Sequence, residues 1–243
     1  MSHTPMGDGI ILPTDFVGHV TVAIMLERAP HEAERTPVSI GQNTTNANGR
    51  VPMNLHSILF WALWAAWIIM EIVVNLRARS LRKQSSGATT KADRGSVWFI
   101  FGGMYILMLI AFFLSMNGIG LMPTWVPYVG NAVMAWGITM RYSAITQLGR
   151  YFSSTVQIAS DQTVIQTGWY RKIRHPAYTG GWLIAVGLGL GLDTWVGTVI
   201  IAVGLFAIYL RRIRVEEQAL VSHLGSSYSH YRQNTYHMFP WIW

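Results

Sequence analysis

Twenty consecutive residues, Val97–Met116, carry no charged side chain. That length matches the roughly 20 apolar residues a helix needs to cross a bilayer. A chain holding such a run must satisfy every backbone polar group within the run itself, which favours a helix over other spanning forms. Composition agrees. Hydrophobic residues make up 51% of the 243 and charged residues only 12%, against roughly 25% charged in a soluble domain. The 11 Trp are also consistent with a protein that meets membrane interfaces.

The remaining spans follow from the same criterion. Leu55–Leu76 is a first spanning helix whose only carboxylate is Glu71. Val97–Met116 is the second. Trp125–Thr146 is the third, with Arg141 in its last third. Tyr178–Leu192 and Thr194–Leu210 are shorter and meet at Asp193, which predicts a tight helical hairpin. The fold class expected is therefore all-α and integral to the membrane, with about five transmembrane helices, a C-terminal hairpin, and a polar connection and tail that face the cytoplasm.

Three regions follow. Residues 1–50 form a polar N-terminal arm of unknown role; their apolar window Ile10–Met25 is interrupted by Pro13, Asp15 and His19. The arm lacks the basic start and small-residue cleavage site of a secretory signal. Residues 51–146 hold three transmembrane helices. Residues 147–243 hold a polar connection, the hairpin and the tail Arg211–Trp243, which opens as a helix.

Cations set the orientation. Arg77, Arg79, Arg82, Lys83, Lys91 and Arg94 follow the first span, in what reads as a loop. Arg150, Arg171, Lys172 and Arg174 lie between the third span and the hairpin, and Arg211, Arg212, Arg214 and Arg232 lie in the tail. The turns near Gly118 and Asp193 hold no Lys or Arg. Five spans put all three basic regions on one side. The +7 net charge thus tracks the membrane face, which argues against nucleic acid as partner.

Polar groups inside apolar runs are costly and ask for a partner or a wet cavity. Glu71 and Arg141 admit two readings: a structural ion pair, or Arg141 lining a substrate cavity. Asp193 reads as a turn residue or helix cap. Gly187, Gly189 and Gly191 follow no strand, so close helix packing accounts for them better than a nucleotide loop.

The densest polar stretch is Gly168–Gly180. Pro176 pushes His175 to an extended backbone, which predicts an imidazole directed outward from a corner before the hairpin. In the tail, Arg212 and Glu216 share a helix face. A guanidinium and a carboxylate there suit a ligand bearing both an ammonium and a carboxylate. The absence of Cys removes thiolate chemistry. His223, His230 and His237 recur at seven-residue spacing without a carboxylate pair, so no metal is expected.

Gln157, Gln162–Ile165, Gly168-Trp169-Tyr170, Arg174-His175-Pro176-Ala177-Tyr178 with Gly180, and the tail from Arg212 through Glu216-Glu217, Leu220, Leu224, Tyr228 and Tyr231 to Pro240 resemble the isoprenylcysteine carboxyl methyltransferase family, itself similar to phospholipid methyltransferases. The likeness covers about the last hundred residues. It implies S-adenosyl-L-methionine as cofactor, with Gln157, Gln162, Thr163, Val164, Ile165, Tyr170, His175, Pro176, Ala177, Tyr178 and Glu216 (or its neighbour Glu217) lining its pocket. It implies Arg212 as the residue facing the substrate carboxylate and a lipidic or prenylated acceptor arriving from the bilayer; Arg141, on the cavity reading of the intramembrane charges, is a second substrate contact. Methylation of a phospholipid amine, an NADPH-dependent sterol-type reductase and a non-catalytic scaffold are the alternatives.

Overall fold

The computed structural model describes residues 54–84, 89–91, 96–154 and 157–240. The N-terminal arm lies outside them. Six α-helices follow in order: α1 (Leu55–Gln84), α2 (Ser96–Met116), α3 (Val126–Leu148), α4 (Pro176–Gly191), α5 (Trp195–Leu224) and α6 (Ser226–Gln233).

Among the described residues, Leu55–Leu81, Phe99–Met116 and Trp195–Leu224 are long and apolar enough to cross a membrane. The other two expected spans are helices of a different character. α3 carries Asn131, Arg141 and Gln147, and α4 is only 16 residues long, or about 24 Å. These two pack on each other more intimately than any other pair. A Cβ on Gly137 would stand 2.7 Å from the Ile184 amide, and one on Gly180 would stand 2.6 Å from the Arg141 amide. Neither helix tolerates a side chain there, so their backbones touch. Gly187 serves the same contact from α4, against Met134, while Gly191 makes room for the Phe60 ring of α1. The outer faces of the bundle are apolar: Phe99, Tyr105, Phe113 and Met116 on α2 are all more than half exposed.

Several expectations are corrected. Arg77, Arg79, Arg82 and Lys83 continue α1 rather than forming a loop. Arg and Leu are good helix formers, and nothing in Arg77–Gln84 breaks the helix where the apolar run ends. The hairpin's second arm and the helix expected at the start of the tail are one unbroken 30-residue helix, which runs through Arg211–Leu224. At about 45 Å it exceeds a hydrocarbon core of about 30 Å, so its charged end projects. The fold also contains a small sheet: β1 (Thr89–Lys91) pairs antiparallel with β2 (Gln157–Ala159). Asp193 is a turn residue with φ +60. The cap of α5 is Thr194, whose hydroxyl accepts from the Gly197 amide at 3.1 Å.

The turns sort the molecule into two ends. At one end, the Trp195 amide donates to Gly120 O at 2.8 Å, Thr194 Oγ1 to Ile119 O at 2.9 Å, and the Met122 amide to Asp193 Oδ1 at 3.2 Å. The two turns free of Lys and Arg are thus clasped together. At the other end, β1 from the basic segment after α1 pairs with β2 from the connection after α3. There the tail joins them too: the Arg174 amide donates to Tyr236 O at 2.8 Å and the Tyr236 amide to Lys172 O at 2.9 Å. All three cation-rich regions meet at this end.

Candidate active site

The connection between α3 and α4 is shaped by short anchors to its neighbours. A 3-10 turn, Gly168–Arg171, is held against α3 by Gln147 Oε1, which accepts from the Trp169 amide at 3.0 Å, and by Ser143 Oγ, which accepts from the Trp169 indole at 2.6 Å. Tyr170 is thereby turned inward, and its carbonyl accepts from the Tyr231 hydroxyl at 2.7 Å. His175 then caps α4, with Pro176 at its first turn.

These elements surround a half-open cavity that leaves about 160 Å³ for the centres of water-sized molecules. Its wall includes Gln162, Thr163, Val164, Ile165, Tyr170, His175, Ala177, Tyr178, Glu216 and Arg141. Arg212 reaches the wall through Tyr178: its Nε donates to the Tyr178 hydroxyl at 3.3 Å, and that hydroxyl donates to Glu216 Oε2 at 2.8 Å. Arg212 Nη2 also donates to Ser154 O at 2.9 Å. Pro176 is fully buried behind the wall. Gln157 contributes its backbone to β2, and its side chain lies outside the described residues.

The expected outward His175 is corrected. It is 4% exposed, and its Nε2 lies 3.2 Å from Glu217 Oε1. The extended corner is present, but the tail folds over it. Glu217 also takes Arg174 Nε at 2.9 Å, His237 Nε2 at 3.3 Å and Arg232 Nε at 3.4 Å. Arg174 further donates to the Arg232 and Thr235 carbonyls. The neighbouring carboxylates thus have different surroundings. Glu217 is enclosed by cations and imidazoles, and Glu216 faces the cavity.

Of the two readings of Glu71 and Arg141, the structure shows the ion pair. Arg141 Nε and Nη2 donate to the two oxygens of Glu71, the latter at 3.1 Å, and Nη1 donates to Ala177 O at 2.9 Å. The pair is structural, and both partners line the cavity.

Sequence reasoning did not assign the rest of the wall. Tyr151, Phe152, Ser154 and Ile158 come from the connection, and Ile100 and Phe101 from α2. Leu220 and Leu224 continue the face of Glu216 at four-residue spacing, and that spacing is a signal the sequence carries. Tyr228 and Tyr231 come from α6. Burial, followed by the nearby carboxylates, pushes the Tyr170 and Tyr228 phenols above their ordinary range. Both are therefore neutral wall groups, not bases.

Residues 130–222 match the isoprenylcysteine carboxyl methyltransferase (ICMT) family. The protein-S-isoprenylcysteine O-methyltransferase of Schizosaccharomyces pombe is 35% identical over 99 residues, covering 40% of this chain and 42% of that protein. A probable protein-S-isoprenylcysteine O-methyltransferase of Oryza sativa subsp. indica is 32% identical over 119 residues, 48% of this chain and 62% of that protein. The chain spans about half the length of these curated relatives. A solved structure, described as the eukaryotic intramembrane Ras methyltransferase ICMT, superposes with a TM-score of 0.51 at 25% identity, over 58% of this chain and 52% of that one. Residues 130–222, which build most of the cavity wall, therefore resemble the isoprenylcysteine carboxyl methyltransferase family in motif and in sequence, and more than half of the chain resembles a solved structure of that description in fold.

Proposed function

We propose that this protein is an integral membrane S-adenosyl-L-methionine-dependent methyltransferase acting on the carboxylate of a prenylcysteine or similar lipidic acceptor. The observation that carries the proposal is the chain Arg212–Tyr178–Glu216 at the cavity wall. It sets the buried Arg212 guanidinium just behind the wall and the Glu216 carboxylate on it, in a cavity that also has a broad aromatic and aliphatic lining.

The residues present fit the cofactor. Its amino-acid end bears an ammonium, which Glu216 would hold, and a carboxylate suited to a cationic partner. Its adenine would rest against the apolar and aromatic wall of Ile158, Ile165, Leu220, Leu224 and Tyr228. When bound, S-adenosyl-L-methionine supplies an activated methyl group. The protein's own task is alignment and exclusion of water. Arg212 would receive the acceptor carboxylate, and Tyr178 would hold Glu216 and Arg212 at a fixed separation. Arg141 is already committed to Glu71 and Ala177 O, so its contribution to substrate binding would be to shape the cavity floor. A carboxylate acceptor needs no base, which agrees with neutral Tyr170 and Tyr228.

The chain would cross the membrane five times, α3 and α4 completing the set, with the basic end and the cavity mouth cytoplasmic. The meeting of all three basic regions at one end supports this topology. The relatives named above favour a carboxylate acceptor over a phospholipid amine and over sterol-type reduction.

The test is methyl transfer from labelled S-adenosyl-L-methionine to prenylcysteine, phosphatidylethanolamine and a small thiol. Transfer to the prenylcysteine is expected. Transfer to phosphatidylethanolamine alone would reassign the acceptor, and NADPH binding without donor binding would defeat the proposal.

A further inference from the structure

The segment Thr235–Phe239 lies beyond the matched residues 130–222, yet it is built into the back of the cavity wall. Tyr236 forms a parallel bridge with Ile173. The His175 amide donates to His237 O at 3.1 Å, and Thr179 Oγ1 donates to Met238 O at 2.7 Å. The tail therefore holds the backbone up to His175 and the Thr179 side chain beyond it.

The side chain of His237 closes the arrangement. Its Nε2 and that of His175 approach the same oxygen, Glu217 Oε1, at 3.3 and 3.2 Å, with ring centroids 5.6 Å apart. Arg174 Nε is a third donor to that oxygen at 2.9 Å. The Glu217 side chain is only 6% exposed, and a carboxylate so enclosed is stable in one place only while its donors surround it. Glu217 follows Glu216 on α5, about 100° around the helix. Holding Glu217 at the back of the wall therefore fixes the helical phase that turns Glu216 into the cavity. The same oxygen fixes the ring of His175, three residues before Tyr178.

We infer that His237 is a positioning residue for the donor site, acting through Glu217 on both Glu216 and the His175–Tyr178 corner. The inference rests on the methyltransferase reading. It makes the C-terminal segment part of the working site and not a trailing end.

The test compares His237→Leu, which removes the donor, with His237→Gln, whose amide nitrogen can occupy the Nε2 position. Binding of labelled S-adenosyl-L-methionine to the full chain in detergent is measured beside helical content and melting temperature. The Leu variant is expected to bind about tenfold more weakly and the Gln variant within about threefold of wild type, the two melting within about 3 °C of each other. Wild-type affinity in the Leu variant would overturn the inference. So would a Gln variant as weak as Leu, or a loss of binding that merely follows loss of folded helix. A wild-type protein that binds no donor would instead overturn the methyltransferase reading, and this inference with it.

Discussion

Two ionic networks flank the cavity, and they are built differently. On the membrane side, Glu71 of α1 and Arg141 of α3 form a two-oxygen, two-nitrogen pair with one further bond to Ala177 O. It is a closed unit with both side chains about one-sixth exposed. On the tail side, Glu217 gathers four donors from the corner, α6 and the C-terminal segment, and one of them, Arg232, is half exposed. The first network joins two helices, α1 and α3, with each charged group taken up by the other. The second joins segments far apart in sequence at a surface where water competes. Between them stands Glu216, with Tyr178 as its partner and the cavity in front of it. Charges spent on each other serve as braces, and the carboxylate left facing the cavity is the one available to a ligand.

The contrast can be tested from its largest expected effect downward. Glu216→Ala should lower affinity for labelled S-adenosyl-L-methionine by about 100-fold or more while the melting temperature stays near wild type. A normal affinity would erase the distinction between Glu216 and the two braces. Glu71→Ala should destabilise the protein by about 3–5 kcal/mol, because it strands Arg141 in an apolar setting. Thermal unfolding in detergent reads this, and the double replacement Glu71→Leu with Arg141→Met should recover most of the loss. If the double variant is as unstable as the single one, the pair does more than neutralise itself. Tyr178→Phe, which takes the hydroxyl from between Arg212 and Glu216, should cost about tenfold in kcat/KM. Arg232→Ala removes only the exposed donor to Glu217 and should change stability by less than about 1 kcal/mol. A larger effect would mean that the tail-side network behaves as a buried unit like its counterpart.

The sequence exposes these features unevenly. The bundle and the gathering of cations at one end follow from apolar run length and charge placement, which are local quantities; Gly187, Gly189 and Gly191 signal close helix packing, but not that they meet Met134, Thr198 and Phe60 on three different helices. The face bearing Glu216, Leu220 and Leu224 is legible for the same reason. What the sequence hides is set by contacts between distant segments. His175 reads as outward because the residues near it leave it uncovered. The cover arrives some sixty positions later, when Tyr236 and His237 pair with Lys172–His175. The fate of Arg174 and the difference between Glu216 and Glu217 depend on the same return of the chain. The pairing of Thr89–Lys91 with Gln157–Ala159 leaves no trace either, since three-residue strands are too short to show a periodicity. The extension of α1 past Leu76 was obscured by equating the end of the apolar run with the end of the helix.

The clasp between the Ile119–Met122 turn and the Asp193–Trp195 turn has a mechanical meaning. It ties the link between α2 and α3 to the link between α4 and α5, as a rivet joins the arms of a pair of tongs. Long helices pivoting about a rivet move least beside it and most at their free ends. Any splaying that admits a bulky molecule is therefore concentrated at the basic end, where the cavity is. There the small sheet and the returning tail act as the spring that draws the arms together.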